Sequence, residues 1–112
     1  GIEELKVILN NLSYKRQYSE NELFVSELEY LRSDIDVLDE KLIKLLAQRM
    51  HIIEKIGLFK KENNVTILQV DRWKEILQNR TKLAELNALD KTLVEDIFKV
   101  IHKSSIEQQS NI

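Results

Sequence analysis

The stretch LRSDIDVLDEKLIKLLAQRMHIIEKIGLFKKENN, residues 31–64, decides the fold. Its apolar residues are spaced alternately three and four apart, which is typical of a helical seam that faces another helix. The seam consists of Leu28, Leu31, Ile35, Leu38, Leu42, Leu45, Arg49, Ile52, Ile56 and Phe59, all apolar except Arg49. Ser19 and Glu22 have the spacing of a capping box, and a strong stop signal follows only at Asn63 and Asn64. We therefore predict one helix of roughly 45 residues, about 65 Å long.

Two shorter helices are predicted after this long one. Residues 65–67 form a short β-branched connection, and a second helix runs from about Val70 to Leu86. Its buried face is predicted to consist of Trp73, Ile76, Leu77, Leu83 and Leu86. Asp90 is a good N-cap for a third helix. The chain has no proline and two glycines, so little interrupts helix formation. The predicted fold class is all-α, with three helices of which the first is very long.

The N-terminal part is predicted to be separate from this domain. Residues 1–12 have the pattern of a short amphipathic helix, and the polar stretch up to Ser19 is typical of a linker. We therefore divide the chain into an N-terminal segment, residues 1–30, and a helical domain, residues 31–112. Because Gly1 is not an initiator methionine, we expect a processed chain, a tag remnant or a piece of a longer protein, in which residues 1–30 could be an interdomain linker.

Composition narrows the class of partner. Hydrophobic residues make up 43% of the chain and charged residues 32%, there is no cysteine, and the net charge is −2. This balance favours a cytoplasmic globular domain, with no nucleic acid and no membrane as partner. An anionic small molecule would have to be bound by a local cluster of cations.

The length of the first helix predicts a dimer. A compact domain of this size has a radius of gyration of about 13 Å, so a helix of about 65 Å extends beyond anything its own chain can build. A second copy would cover the exposed seam and give an entwined helical homodimer. A coiled coil with a different protein would cover the exposed seam equally well.

Two cations interrupt the helical pattern. Arg49 occupies a seam position between Leu45 and Ile52, where an unpaired charge is costly. Lys60 lies eleven residues further, three turns along, on nearly the same face. Both could converge on a small ligand. Otherwise Arg49 could set the register of the seam or extend past it, and Lys60 could be a solvated residue at the helix end.

Further polar residues also favour a binding site for a small ligand. The apolar face of the third helix continues into Ser105 and Gln109, although a frayed C-terminus would explain them equally well. Arg72 lies in the first turn of the second helix, where a cation opposes the helix dipole, but it could simply be exposed. Arg32 is seventeen residues before Arg49, so it could reach the same ligand only from an antiparallel partner chain.

Metal and nucleophile chemistry are not indicated. His51 and Glu54 lack the spacing of a helical di-iron site, and His102 has no ligand partner nearby. There is no glycine-rich phosphate loop and no nucleophile elbow. We therefore expect no metal and no cofactor.

The order of these motifs resembles the AroQ-type, all-helical chorismate mutases. Residues 31–64 are similar to the first helix of that family, VDRW at residues 70–73 to the start of its second helix, and IHKSSIEQQ at residues 101–109 to the end of its third. The resemblance extends without a gap from Leu31 to Gln109. It implies the family's three-helix dimer and the rearrangement of chorismate to prephenate in phenylalanine and tyrosine biosynthesis.

The resemblance also implies a role for each matched position. Arg32 of the partner subunit and Arg49 would bind the two carboxylates of the substrate. Lys60 and Gln109 would contact the ether oxygen whose bond breaks. Arg72 would organise the site, and Ser105 would donate a hydrogen bond near a carboxylate.

Two positions depart from the family pattern. Trp73 stands where the family has a glutamate that accepts from the substrate hydroxyl, and indole only donates. Gln69 stands where the family commonly has an aspartate, and it could act as an acceptor. These departures leave recognition of the substrate hydroxyl unassigned. The alternatives are isochorismate pyruvate lyase on the same scaffold and a non-catalytic domain that senses chorismate or prephenate.

A narrower similarity concerns KKENNVTILQ at residues 60–69 and the RWKEIL that follows at 72–77. These segments resemble the mutase domains fused behind DAHP synthase, the first enzyme of the shikimate pathway. We therefore expect a covalently fused or associated DAHP synthase domain as a partner.

Overall fold

Three long helices make up most of the structure, a computed structural model that describes residues 1–4 and 20–112. They are α1 (Glu20–Glu62), α2 (Val70–Leu86) and α3 (Lys91–Ser110). Residues 2–4 are also helical, and no strand occurs within the described ranges. The all-α class and the very long first helix are confirmed. Most of the predicted N-terminal helix, the linker and Ser19 of the capping box lie outside the described residues.

The chain divides into two units, Gly1–Leu45 and Leu46–Ile112. The first unit contains the N-terminal part of α1, and the second contains the remainder of α1 with α2 and α3. Helix α1 continues through position 31, so the proposed division after residue 30 falls inside a helix. The separation of a linker from a domain remains a prediction.

A residue in the left-handed conformation follows the end of α1 and of α2, two residues after the last helical one. Asn64 and Ala88 have φ of 55°, and the amide after each bonds back to the last helical turn. Val65 N donates to the carbonyl of Lys60 at 2.8 Å, and Leu89 N donates to that of Ala84 at 2.8 Å. This is the Schellman arrangement, which satisfies carbonyls that a helix end leaves unpaired. It turns the chain sharply after α1 and so returns residues 65–69 towards the helix.

The predicted start of α3 is confirmed. The Asp90 carboxylate accepts a hydrogen bond from Leu93 N at 3.2 Å, as an N-cap residue does. The predicted bounds of α2 are also confirmed, but Gln69 makes no side-chain capping bond there.

The buried face of α2 differs from the prediction. Leu83 and Leu86 were expected inside but are 48% and 82% exposed, whereas Ala84 is 2% exposed. The inward face follows Trp73, Ile76, Leu77, Arg80, Thr81 and Ala84. This face has regular helical spacing, and Arg80 fits on it because its guanidinium lies 5.6 Å from the ring centre of Phe98.

The apolar seam of α1 is exposed in each unit. Leu28 is half-buried, whereas the other apolar seam residues are exposed, from 40% at Ile56 to 65% at Phe59. The exposed members are Leu31, Ile35, Leu38, Leu42, Leu45, Ile52, Ile56 and Phe59. So long an apolar row is unusual on a free surface. The described helices include none that is long and apolar enough to span a membrane.

Candidate functional site

A cavity of about 250 Å³ lies within the second unit, between α1, the start of α2 and the C-terminal half of α3. Six of the seven predicted site residues line it, namely Arg49, Lys60, Gln69, Arg72, Ser105 and Gln109. Apolar side chains and one histidine complete the wall, namely Ile53, Ile56, Ile67, Ile76, His102 and Ile106. The polar residues singled out along three helices therefore converge on one space.

Arg49 turns away from the seam and towards α3. Its Nη1 donates to Ser105 Oγ at 3.0 Å, and Ser105 Oγ in turn donates to the carbonyl of Ile101 at 2.7 Å. Ser105 is 3% exposed and Arg49 is half-buried. The serine thus holds the guanidinium at the cavity wall, which argues against both a register role and a fully solvated arginine.

Lys60 is held at two points. Its Nζ donates to Gln109 Oε1 at 3.0 Å and to the carbonyl of Ile67 at 2.8 Å. Gln109 is 6% exposed, so its amide belongs to the packed interior of the site and not to a frayed terminus. Because its oxygen accepts from Lys60, the amide N–H groups are the donors left for a ligand. The Ile67 carbonyl is within reach because the chain turns back after α1.

Gly57 allows α1 and α3 to approach each other closely. A Cβ at this position would lie 3.1 Å from Gln109 Cγ and 3.2 Å from Gln109 Cα, and would also collide with the end of the Ile112 side chain. The glycine lies three residues before Lys60, one helical turn away. The absence of its side chain therefore helps to bring Gln109 within hydrogen-bond distance of Lys60.

Gln69 and Arg72 supply the wall at the start of α2. Gln69 is the N-cap residue and is exposed. Arg72 forms an exposed ion pair with Glu75 at 3.4 Å, and an exposed pair of this kind contributes little to stability. Both side chains are available for a ligand.

The cavity is electropositive. Three of its lining residues carry positive charge, and the described residues that line it include no aspartate or glutamate. Burial lowers the pKa of Arg49, and the nearby Arg80 and Arg72 lower it further. Burial also lowers the pKa of Lys60. Cations that repel one another while partly desolvated gain energy from a bound anion.

Sequence reasoning missed the role of His102 in this wall. The ring of His102 stacks on Trp73, with centroids 4.1 Å apart and planes inclined by 14°. Burial lowers the pKa of His102, and Arg49 and Lys60 lower it further. The sequence signal that could have found it is spacing. His102 lies three residues before Ser105 and seven before Gln109, which places it on the same face of α3.

Arg32 lies in the first unit and is exposed. Its Nη1 forms an ion pair with Glu29 Oε1 at 3.0 Å. It is not one of the residues that line the cavity. Within residues 1–4 and 20–112, no group of three His, Cys, Asp or Glu side chains could hold a metal ion.

Fold and cavity together define a class of protein: an all-helical domain with a cation-lined cavity between its helices. A family model described as chorismate mutase type II matches residues 31–110. This chain therefore belongs to the chorismate mutase type II family, as the resemblance of its motifs indicated.

Several individual proteins are similar to this chain over most of its length. The T-protein of Haemophilus influenzae is 31% identical over 87 residues, which cover 78% of this chain and 23% of that protein. A bifunctional chorismate mutase/prephenate dehydratase of Buchnera aphidicola subsp. Baizongia pistaciae is 35% identical over 78 residues, covering 70% and 21%. The protein of the same name in Escherichia coli K12 is 31% identical over 79 residues, covering 70% and 20%. The chain thus spans less than a quarter of the length of these relatives.

Proposed function

We propose that this chain catalyses the Claisen rearrangement of chorismate to prephenate. The observation that carries the proposal is the meeting of Arg49 and Lys60 at one cavity, each bonded to a neutral side chain of α3 and neither neutralised by a carboxylate. Chorismate is a dianion with an ether bond, so it offers two carboxylates for cations and an oxygen for hydrogen-bond donors.

The reaction needs positioning and electrostatics more than chemical groups. A Claisen rearrangement uses no nucleophile, base or metal. It requires a folded substrate conformer and positive groups where negative charge develops on the ether oxygen. A millionfold acceleration corresponds to about 8 kcal/mol of transition-state stabilisation. Selection of the folded conformer and two fixed hydrogen-bond donors both contribute stabilisation of this type.

Each residue then has a stated role. Lys60 and the Gln109 amide donate to the ether oxygen, and Arg49 binds one carboxylate. Arg32 of the partner subunit binds the other carboxylate. The remaining polar residues assist: Ser105 orients Arg49, Arg72 organises the positive field, and Gln69 is a candidate acceptor. To donate to a carboxylate as well, the Ser105 hydroxyl has to turn away from the Ile101 carbonyl that it bonds at 2.7 Å.

Replacing Lys60 by alanine tests the proposal. Lys60→Ala should lower kcat by about 10²–10³-fold, the usual effect of removing one donor to a developing oxyanion. The matched control is Lys61→Ala, because Lys61 is exposed and donates to the Ile112 carbonyl at 3.1 Å, outside the cavity. Loss of chorismate absorbance measures turnover, and circular dichroism checks the helices. Near-normal turnover by Lys60→Ala would refute the assignment.

The same assay separates the alternatives. Wild-type protein is given chorismate and isochorismate in parallel, and the products are identified. Prephenate from chorismate supports the mutase, whereas salicylate from isochorismate would assign the chain to the pyruvate lyase activity. Binding of chorismate or prephenate without turnover would indicate a sensor domain.

The proposed active form is a homodimer. Its support is the exposed apolar seam of α1, which a second copy would cover, and the need for a second carboxylate ligand beside Arg49. The seam residues of two antiparallel α1 helices would pack together and carry each Arg32 towards the other chain's cavity.

A fusion with DAHP synthase is proposed on narrower grounds. Residues 60–69 and the segment that follows resemble mutase domains joined to that enzyme, which acts in the same pathway. Two of the relatives named above are instead joined to prephenate dehydratase by name. The coding sequence on both sides of the region that encodes residues 1–112 distinguishes the two arrangements.

A further inference from the structure

The cavity has many donors and few acceptors. The charged ends of Arg49, Lys60 and Arg72 only donate hydrogen bonds. The Gln109 oxygen already accepts from Lys60, and Ser105 Oγ accepts from Arg49 while donating to the Ile101 carbonyl. These groups suit carboxylates and an ether oxygen. The Gln109 and Ser105 oxygens each already have a hydrogen-bond partner within the cavity wall, so neither is wholly free for a ring hydroxyl, which chorismate and prephenate both carry.

Two lining side chains, His102 and Gln69, carry an acceptor that makes no hydrogen bond within the described residues. Gln69 is exposed, so water competes for its amide oxygen. His102 is half-buried, and its ring lies flat against Trp73. Stacking uses the faces of both rings, whereas the lone pair of an imidazole nitrogen lies in the ring plane. The Trp73 stack therefore fixes the orientation of the imidazole without occupying its acceptor.

We propose that His102, oriented by Trp73, accepts the hydrogen bond of the substrate's ring hydroxyl and so selects for substrates that carry it. This inference rests on the proposed mutase function, because it concerns a group of that substrate. Trp73 contacts His102 and is a positioning residue, so the tryptophan that occupies the usual glutamate position acts through the histidine.

The charge state of His102 agrees with an acceptor role. An imidazole accepts only when it is neutral. Burial, Arg49 and Lys60 all lower the pKa of His102 below its ordinary value of 6.5. At neutral pH the ring therefore has a nitrogen lone pair available for a hydroxyl.

The test compares two substrates across matched variants. Chorismate and an analogue with hydrogen in place of the ring hydroxyl are assayed with wild type, His102→Phe and His102→Gln. Phenylalanine keeps a flat ring against Trp73 but removes the acceptor, and glutamine restores an acceptor oxygen. His102→Phe should lower kcat/KM for chorismate about tenfold, the usual effect of losing one hydrogen bond, and leave the analogue unaffected. His102→Gln should recover part of the loss.

Control variants isolate the residue responsible. His51→Phe replaces the other histidine, which is exposed on α1 and does not line the cavity, and it should behave as wild type. Trp73→Phe should keep the preference for the hydroxyl, and Trp73→Ala should weaken it. Equal loss of both substrates in His102→Phe would show that the ring only shapes the cavity. If Gln69→Ala alone abolishes the preference, the acceptor is Gln69, and the proposal is overturned.

Prephenate binding gives a readout that does not require turnover. Calorimetric titration of wild type and His102→Phe with prephenate should show about tenfold weaker binding by the variant. An active wild type with unchanged prephenate affinity in His102→Phe would overturn the acceptor role while the mutase function stands. A wild type that neither turns over chorismate nor binds prephenate would overturn both.

Discussion

Partial burial gives Lys60 different hydrogen-bond partners and a different pKa from those of an ordinary lysine near a helix end. A lysine near a helix end is ordinarily solvated, and Lys61 beside it is exposed. Lys60 instead donates to Gln109 and to the Ile67 carbonyl, and burial lowers its pKa. Its two neutral partners hold the ammonium in place without cancelling its charge. The charge therefore remains available for a developing oxyanion.

Gln109→Glu is expected to make activity fall as pH rises. A protonated carboxyl can donate to the ether oxygen as the amide does, but an ionised carboxylate only accepts and would place negative charge beside that oxygen. The loss should follow the pKa of the introduced carboxyl. The measurement is kcat/KM against pH for the variant and for wild type.

Gln108→Glu is the matched control for this pH profile. Gln108 is the neighbouring glutamine on α3 and does not line the cavity, so its profile should follow that of wild type. A flat profile for Gln109→Glu over the range in which carboxyls titrate would contradict the placement of Gln109 at the ether oxygen.

At the scale of the elements, the distance between α1 and α3 decides whether the site forms. Arg49 and Lys60 of α1 bond to Ser105 and Gln109, which are one turn apart on α3. These bonds need the close approach that Gly57 permits. Glycine disfavours helix by about 1 kcal/mol relative to alanine, so its place inside α1 is explained by packing and not by propensity.

Gly57→Ala should lower activity while changing stability little. The new methyl group favours helix but presses on the α3 backbone at Gln109, so α3 must move by a few tenths of an ångström. We expect kcat/KM to fall roughly tenfold, because catalysis depends on donor position more steeply than folding does. Kinetics and denaturant unfolding measure the two effects.

Glu54→Ala is the control for this substitution, because Glu54 is exposed on the same helix. It should change neither quantity appreciably. Wild-type kinetics in Gly57→Ala would show that α1 and α3 can move slightly apart without loss of activity.

At the scale of the whole molecule, the chain leaves a long apolar row of α1 exposed. An apolar surface removed from water stabilises an association by about 25 cal/mol per Å². The row therefore favours a second copy, which would also bring the partner subunit's Arg32 to a cavity whose own chain provides Arg49 and Lys60.

Leu42→Asp should disrupt the dimer. Leu42 is 56% exposed in the row, and an aspartate there would place a charge in the proposed interface. Light scattering should give wild type twice the chain mass of 13.2 kDa and the variant a lower mass with reduced activity. Lys41→Asp, next to it and outside the seam, should remain a dimer. A wild type of 13.2 kDa would remove the basis for a shared site.

Mixing two inactive variants tests whether subunits share the site. Arg32→Ala and Lys60→Ala each remove one ligand from every site of their homodimers. When the two are unfolded and refolded together, half of the dimers combine them, and each of these has one complete site. Activity should return to about one quarter of the wild-type value. Mixed dimers that stay inactive would show that Arg32 and Lys60 act within the same chain.

Local signals determined most of the fold and singled out Arg49, Lys60, Ser105 and Gln109 as candidates, all of which line the cavity. The lack of breakers, the spacing of the seam and the Asp90 cap each depend on residues within a turn or two. They predicted α2 from Val70 to Leu86 and the start of α3. The polar residues at inward positions were visible for the same reason, because helical period determines which residues share a face.

Tertiary structure alone decided how the helices turn towards one another. The rotation of α2 buried Ala84 and exposed Leu83, and it stacked Trp73 on His102, twenty-nine residues away. Such contacts follow from the sum of many packing and hydrogen-bond energies between helices, and no single residue carries that information. The sequence by itself thus specified the helices and their polar positions, whereas packing between helices decided which of those positions meet at the cavity.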